Sequence, residues 1–185
     1  MKIKKLLRKK FLSLRKKKYF DVPINRFQPL INYIKKKYKL KKRIFLAIYY
    51  PSNYEINLIK VFDNLKEKKI ITLLPIITKN GLLNFVEWKP QDIMIVNKYG
   101  IPEPLKTNKK FLPDVVLVPL LSYDKYKNRL GYGKGYYDKF LGKYTKKNGN
   151  ILTIGLAFSF QEYKKIPTSN FDIKLDYILT EKGIF

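Results

Sequence analysis

The first stretch of the chain has its apolar positions at helical spacing. In residues 2 to 18, Ile3, Leu6, Leu7, Phe11 and Leu14 share one stripe at about 100° per residue, which predicts an amphipathic helix. Lys4, Arg8 and Arg15 run along one border of that stripe. They either reach into whatever cleft the helix closes or form a solvated flank, and spacing leaves both open. A second helix is predicted between Pro23 and Lys39. The period then changes. "RIFLAIYYP" is a near-continuous apolar run closed by Pro51 and predicts a buried strand. "NYEINLIKVFDNLKEKK" returns to helical spacing, and "IITLLP" is a second short apolar run, so residues 43 to 75 read as strand, helix, strand in a parallel crossover. "GLLNFVEW" alternates weakly, as an edge strand or hairpin arm does, and "YGIPEPL" is held extended by its prolines. "PDVVLVPLL" is the strongest strand candidate, "YYDKFLGKY" has helical spacing, "ILTIGLAFSF" is another buried strand, and "DIKLDYILTEKG" supplies a last one after a loop. Strands alternating with helices predict a three-layer α/β/α arrangement, Rossmann-like, around a mainly parallel sheet. With no internal repeat or low-complexity linker, residues 1–185 read as one domain.

Composition narrows the chemistry. The chain has no cysteine and no histidine. Thiolate metal sites, cysteine nucleophiles and a Ser-His-Asp triad are therefore excluded, and catalysis must use carboxylates, lysines, tyrosines, backbone amides or a hard cation such as Mg²⁺. The formal charge of +26 admits a polyanionic partner. It also follows from a general bias, because lysine, isoleucine, asparagine and tyrosine are all abundant and the lysines are spread along the whole chain. No apolar run approaches the roughly 18 to 20 residues that span a bilayer, and the charged N-terminus lacks the apolar core of a signal peptide. The expectation is a soluble, cytoplasmic monomer with no membrane partner.

One stretch concentrates candidate chemistry. "NRLGYGKGYYDKF", residues 128 to 140, places glycines at 131, 133 and 135 between a strand and a helix. Glycine admits positive φ and close backbone approach. The N–H groups of such a loop, with the following helix start, form a concave anion site. Arg129 and Lys134 add charge. Asp138, in the first turn of the predicted helix, either stabilises the helix dipole or holds Mg²⁺. The spacing matches neither the Walker nor the dinucleotide pattern, so a structural turn and a phosphate loop stand even on these residues alone.

"RLGYGKGYYDKFL" closely resembles the signature of the 5-formyltetrahydrofolate cyclo-ligase family. "YYPSNYEIN", "LLPII", "YGIPEP", "PDVVLVPLLSYD" and "GLAFSFQ...IPTSNFDIKLDYILTE" resemble further family segments in the same order, so the likeness runs over essentially the whole chain. The resemblance implies an ATP- and Mg²⁺-dependent enzyme acting on 5-formyltetrahydrofolate, with no specific nucleic-acid partner. It implies that Lys4 and Arg8 contact ATP phosphates. It implies that Arg129, Leu130, Gly131, Tyr132, Gly133, Lys134, Gly135, Tyr136 and Tyr137 wrap the nucleotide, with Tyr132 through Tyr136 also touching the folate. Lys134 and Arg129 would stabilise the transferring phosphoryl group, and Asp138 and Asp172 would be the metal ligands, with Asp176 the alternative to Asp172. Tyr50, Glu55 and Tyr99 would line the folate pocket. Many bacterial members carry a histidine just before the aspartate matched to Asp172, where this chain has Phe171. Replacement of Lys134 or Asp138 by alanine is expected to abolish turnover while the fold survives.

Overall fold

The structure is a computed structural model and describes residues 2–38, 43–63, 69–105, 109–148 and 151–185. In chain order it forms α1 (Lys2–Lys18), α2 (Gln28–Tyr38), β1 (Ile44–Ala47), α3 (Ile59–Asp63), β2 (Ile70–Ile77), β3 (Leu83–Glu87), β4 (Met94–Val96) and β5 (Pro102–Pro104). There follow β6 (Val115–Pro119), β7 (Ser122–Tyr123), β8 (Arg129–Leu130), α4 (Tyr136–Asn148), β9 (Leu152–Leu156), β10 (Tyr177–Thr180) and β11 (Gly183–Ile184). The end of the predicted second helix at Lys39 and residues 64–68 of the next predicted helix lie outside the described residues.

The main sheet has the order β11-β10-β9-β6-β1-β2-β3. Its five central strands are parallel, with β1 pairing β2 from Ile44↔Ile70 to Ala47↔Leu73 and β6 pairing β9 from Val115↔Leu152 to Pro119↔Leu156. Both edges are closed by antiparallel partners, β3 on β2 and β11 on β10. The sheet is thus mainly parallel with helices on its faces, as the alternating pattern predicts.

The apolar runs are buried on both faces. Along β6, Val115 and Leu117 join the core under α2 and α3, whereas Val116 and Val118 join the core under α4. In the first core Leu30 and Ile34 of α2 and Val61 and Phe62 of α3 meet the sheet, and in the second Phe140 and Leu141 of α4 do so. Gly155 of β9 is where this packing has no spare volume. A Cβ there would lie 2.7 Å from Leu120 Cδ2, 2.7 Å from Leu175 Cδ1 and 2.8 Å from Ile178 Cδ1. Gly155→Ala is expected to cost about 1–3 kcal/mol by overpacking, read as a fall in Tm by thermal unfolding.

Several local expectations change. Asn53 and Tyr54 adopt positive φ (48° and 62°), so the segment after β1 is a turn and helix α3 begins only at Ile59. "YGIPEP" is extended as predicted, but β5 pairs antiparallel with β4 in a separate two-stranded sheet. A second hairpin, β7 with β8, stands between β6 and the glycine stretch, which therefore does not follow the central strand directly.

The first helix departs most. Ile3 and Leu6 are 62% and 66% exposed, while Leu7, Phe11 and Arg15 are buried. The buried face is rotated from the apolar stripe toward its basic border. Leu7 and Phe11 pack on Leu121, Leu130 and Ile166, so α1 lies beyond the strand ends and belongs to neither helix layer.

Chain order reverses across the sheet between β1 and β6: from β1 the chain runs outward to β2 and β3, then returns to β6 on the other side. A crevice opens at such a switch point, outside the carboxyl ends of the strands. Here the flanking segments are the turn after β1 and the β7–β8 hairpin with the glycine loop.

Candidate active site

A cavity of about 790 Å³ occupies that crevice. Its wall includes Lys4 and Arg8 of α1, Tyr50 and Glu55 after β1, Tyr99 between β4 and β5, the whole stretch Arg129 to Asp138, and Asp172. Every residue assigned to a ligand from the sequence reaches this one space except Asp176. The Asp176 carboxylate accepts hydrogen bonds from Thr153 N–H and Thr153 Oγ1, both at 2.8 Å. It clamps β9 to the segment before β10 and does not line the cavity that Asp172 lines.

The basic row of α1 faces inward along its length. Lys4 Nζ lies 2.6 Å from Asp172 Oδ2. Arg8 Nε donates to the Gly131 carbonyl at 2.9 Å. Arg15, 1% exposed, donates to the carbonyls of Asn53 (2.8 Å) and Leu120 (3.1 Å) and to the Tyr132 hydroxyl (2.5 Å). The amphipathic stripe could not show this, because an arginine whose three guanidinium nitrogens each donate to protein can replace an apolar residue on a buried face.

The glycine loop uses its glycines unequally. Gly133 (φ +95°) and Gly135 (φ +70°) take left-handed backbone, whereas Gly131 does not. A Cβ on Gly133 would lie 3.0 Å from Arg8 Cζ, so the missing side chain admits the guanidinium against the loop. Lys134 is exposed, and its ammonium lies 5.7 Å from the centre of the Tyr99 ring. The Tyr99 and Tyr136 hydroxyls are 2.5 Å apart and join the β4–β5 hairpin to the start of α4.

Arg129 is tied down. Its Nη1 donates to the Ile173 carbonyl and its Nη2 to Asp138 Oδ1, each at 2.6 Å. Asp138 Oδ1 also accepts the Ile173 N–H at 3.1 Å. Asp138 therefore pairs a buried arginine as well as opening α4, which adds a stability cost to the expected loss of turnover on its removal. Asp138→Ala is expected to cost about 2–3 kcal/mol, less than a fully buried pair because the Asp138 side chain keeps 26% exposure. Thermal unfolding of Asp138→Ala beside the milder Asp138→Asn checks this.

Asp172 Oδ2 accepts from Ser169 N–H (2.6 Å) and Ser169 Oγ (2.9 Å) besides Lys4. Burial alone would push its carboxyl up; the Lys4 and Ser169 donors outweigh burial and hold it below the ordinary carboxylate value. Phe171, at the position of the family's frequent histidine, is 84% exposed at the rim.

Glu55 is buried. One carboxylate oxygen accepts the Tyr132 hydroxyl; the other accepts Ser52 N–H at 2.8 Å and Ser52 Oγ at 3.3 Å. Burial pushes its carboxyl up, Arg15, Tyr132 and Ser52 pull it down, and the net displacement is upward. Burial also raises the Tyr132 and Tyr137 phenols, so both stay protonated near neutral pH. The Tyr137 hydroxyl is buried with no hydrogen-bond partner among the described residues. Glu103 was not singled out in the sequence. It is buried, lines the same cavity and accepts from Ile77 N–H at 3.2 Å and Asn97 Nδ2 at 3.3 Å. Its only sequence signal was an acidic residue between two prolines.

Among the described residues no group of three or more His, Cys, Asp or Glu side chains could hold a metal ion, and no helix is long and apolar enough to cross a membrane.

Fold and cavity define an open α/β protein with a ligand crevice at its topological switch point, lined by cations, a glycine loop and a buried carboxylate. The model of the 5-formyltetrahydrofolate cyclo-ligase family matches residues 1–181, and the chain belongs to that family of ligases in folate metabolism. It is 33% identical to the 5-formyltetrahydrofolate cyclo-ligase of Haemophilus influenzae over 72% of this chain and 74% of that relative. It is 31% identical to the Mycoplasma genitalium protein of the same name over 94% and 92% of the two chains. Among solved structures, the 5,10-methenyltetrahydrofolate synthetase of Aquifex aeolicus superposes with a TM-score of 0.74 at 28% identity, covering 98% of this chain and 91% of that one. That of Mycoplasma pneumoniae reaches 0.71 at 24% identity over 96% and 98%, a likeness of fold.

Proposed function

We propose that the protein converts 5-formyltetrahydrofolate to 5,10-methenyltetrahydrofolate with cleavage of MgATP to ADP and phosphate. The observation that carries this reading is the convergence, on one cavity, of a cationic glycine loop suited to phosphates and a buried carboxylate suited to the N–H groups of a pterin ring. Family membership supports the substrate and product.

In this reading the formyl oxygen attacks the γ-phosphorus as ADP leaves, forming an imidate-like phosphate. N10 then adds to the activated carbon, its proton passes to solvent or phosphate, and inorganic phosphate leaves as the ring closes. The protein's work is positioning and charge neutralisation, which need neither histidine nor cysteine. Lys134 meets the charge on the transferring phosphoryl group, with the loop N–H groups beside it. Lys4 and Arg8 bind phosphates from α1, Arg8 already being seated on the loop. Arg129 holds Asp138 and adds positive potential at the base of the loop. Glu55 accepts a pterin N–H group, and Tyr50, Tyr99, Tyr132 and Tyr136 line the ring's path.

In this reading Asp138 and Asp172 would hold a hard cation. Asp138 and Asp172 each accept their hydrogen bonds among the described residues through one oxygen. Two carboxylates completed by phosphate oxygens and water are a usual Mg²⁺ environment. Mg²⁺ bound there would neutralise phosphate charge.

Incubation of purified protein with 5-formyltetrahydrofolate and MgATP should raise the near-ultraviolet absorbance of the methenyl product. Folded protein that yields no product overturns the reading.

A further inference from the structure

Three polar side chains form one hydrogen-bonded line running from behind the cavity wall into it: buried Arg15, half-buried Tyr132 and buried Glu55. The Tyr132 hydroxyl accepts from Arg15 Nη2 at 2.5 Å and donates to Glu55 Oε1. Arg15 also sits over the Tyr132 ring, 5.7 Å from its centre. Its Nε binds the carbonyl of Asn53, in the positive-φ turn that carries Glu55, and its Nη1 binds the carbonyl of Leu120, just beyond β6. One guanidinium thus joins α1, the turn after β1, the end of β6 and the glycine loop. A carboxylate has about four acceptor positions. Ser52 and Tyr132 supply three donors to Glu55, which leaves one position for a ligand.

We propose that Arg15 is a positioning residue for substrate: through the Tyr132 hydroxyl and the Asn53 carbonyl it fixes the Glu55 carboxylate in the orientation that receives an N–H group of a flat heterocycle. The proposal rests on the reading of the cavity as a folate site. Arg15 does not itself line the cavity and acts only through its partners.

The charged and titratable groups facing Glu55 are Arg15 from α1, Tyr132 from the glycine loop, Tyr49 after β1 and Tyr137 from α4. Both flanking phenols are raised by burial, so Arg15 is the cation that favours the ionised carboxylate. Burial already displaces Glu55 upward; loss of Arg15 displaces it further. Productive folate binding, present above the Glu55 pKa, then fails at a higher pH.

The test is steady-state kinetics of the full chain across pH. Arg15→Met is expected to raise KM for 5-formyltetrahydrofolate about tenfold with KM for ATP unchanged, the scale of one lost charge-assisted hydrogen bond. The acid limb of kcat/KM should move up by about one pH unit, and Arg15→Lys should recover part of both changes. In a Glu55→Gln background, Arg15→Met should add little. Equal rises in both KM values, or an acid limb that stays in place, overturn the proposal and leave Arg15 structural. If Arg15→Met does not fold, Tyr132→Phe keeps the ring and removes only the bridging hydroxyl; an unchanged folate KM there overturns it equally. A wild type without turnover overturns the functional reading instead. Calorimetric binding of 5-formyltetrahydrofolate then still reads Arg15, and a wild type that binds no folate overturns both.

Discussion

Lys134→Ala is expected to lose about 10²–10³-fold in kcat, the scale of one missing donor aimed at charge that develops in a transition state. Tm should stay near the wild-type value. The two halves of the prediction have separate grounds. Lys134 is exposed in the glycine loop, with its ammonium near the face of Tyr99, so truncation strands no buried group and should change stability by no more than about 0.5 kcal/mol. Its ammonium stands at the mouth of a cavity that also gathers Lys4, Arg8, Asp138 and Asp172, where phosphoryl charge would develop. Retained kcat in folded Lys134→Ala would remove the residue from its assigned role. Asp138→Ala provides the contrast, because it should lose both activity and stability through Arg129.

Gly133→Ala is expected to disable the loop through geometry. An L-residue at φ +95° is strained whatever the space around it, and the added Cβ would also lie 3.0 Å from Arg8 Cζ and 3.2 Å from Nη1 and Nη2. The loop or Arg8 must move. A displacement of an ångström at a positioning site costs on the order of 10²-fold in rate, so kcat/KM for ATP should fall by about that factor. Tm should fall as well, since Arg8 holds the loop to α1. Gly131→Ala supplies the control on stability. That position has no left-handed φ and nothing within 4 Å of an added Cβ, so its Tm should match the wild type. Equal stability of the two variants would show that the loop tolerates Gly133 conformations absent here.

The parts legible from the sequence were those set by local chemistry. "PDVVLVPLL" and "ILTIGLAFSF" lie in β6 and β9, because a continuous β-rich apolar run is stable only where both faces of a strand are covered. The glycine spacing marked the loop, since glycine takes the positive φ found at 133 and 135 without the strain a side chain would add. The motifs matched in order also named a set of residues that one cavity collects. Misreadings arose where a specific side-chain or cross-strand hydrogen bond, which hydrophobic spacing does not report, decides the conformation. "NYEIN" has helical spacing, but Ser52 N–H and Oγ bind the Glu55 carboxylate and hold a turn. "IPEP" became a paired strand because Met94–Val96 lies opposite it.

Sequence alone determined the alternation of apolar runs with helices, hence a mainly parallel α/β sheet, and the exclusion of histidine and cysteine chemistry. Those follow from spacing and residue type, which act over a few neighbours. Tertiary structure decided which face of α1 is buried, that Arg15 replaces an apolar residue there, that Arg129 pairs Asp138, and that Asp176 clamps Thr153 instead of lining the cavity. The physical reason is that a charged group can be buried only where specific partners satisfy it, and spacing does not name those partners: they lie nine residues away for Arg129 and Asp138 and 38 to 117 residues away for Arg15.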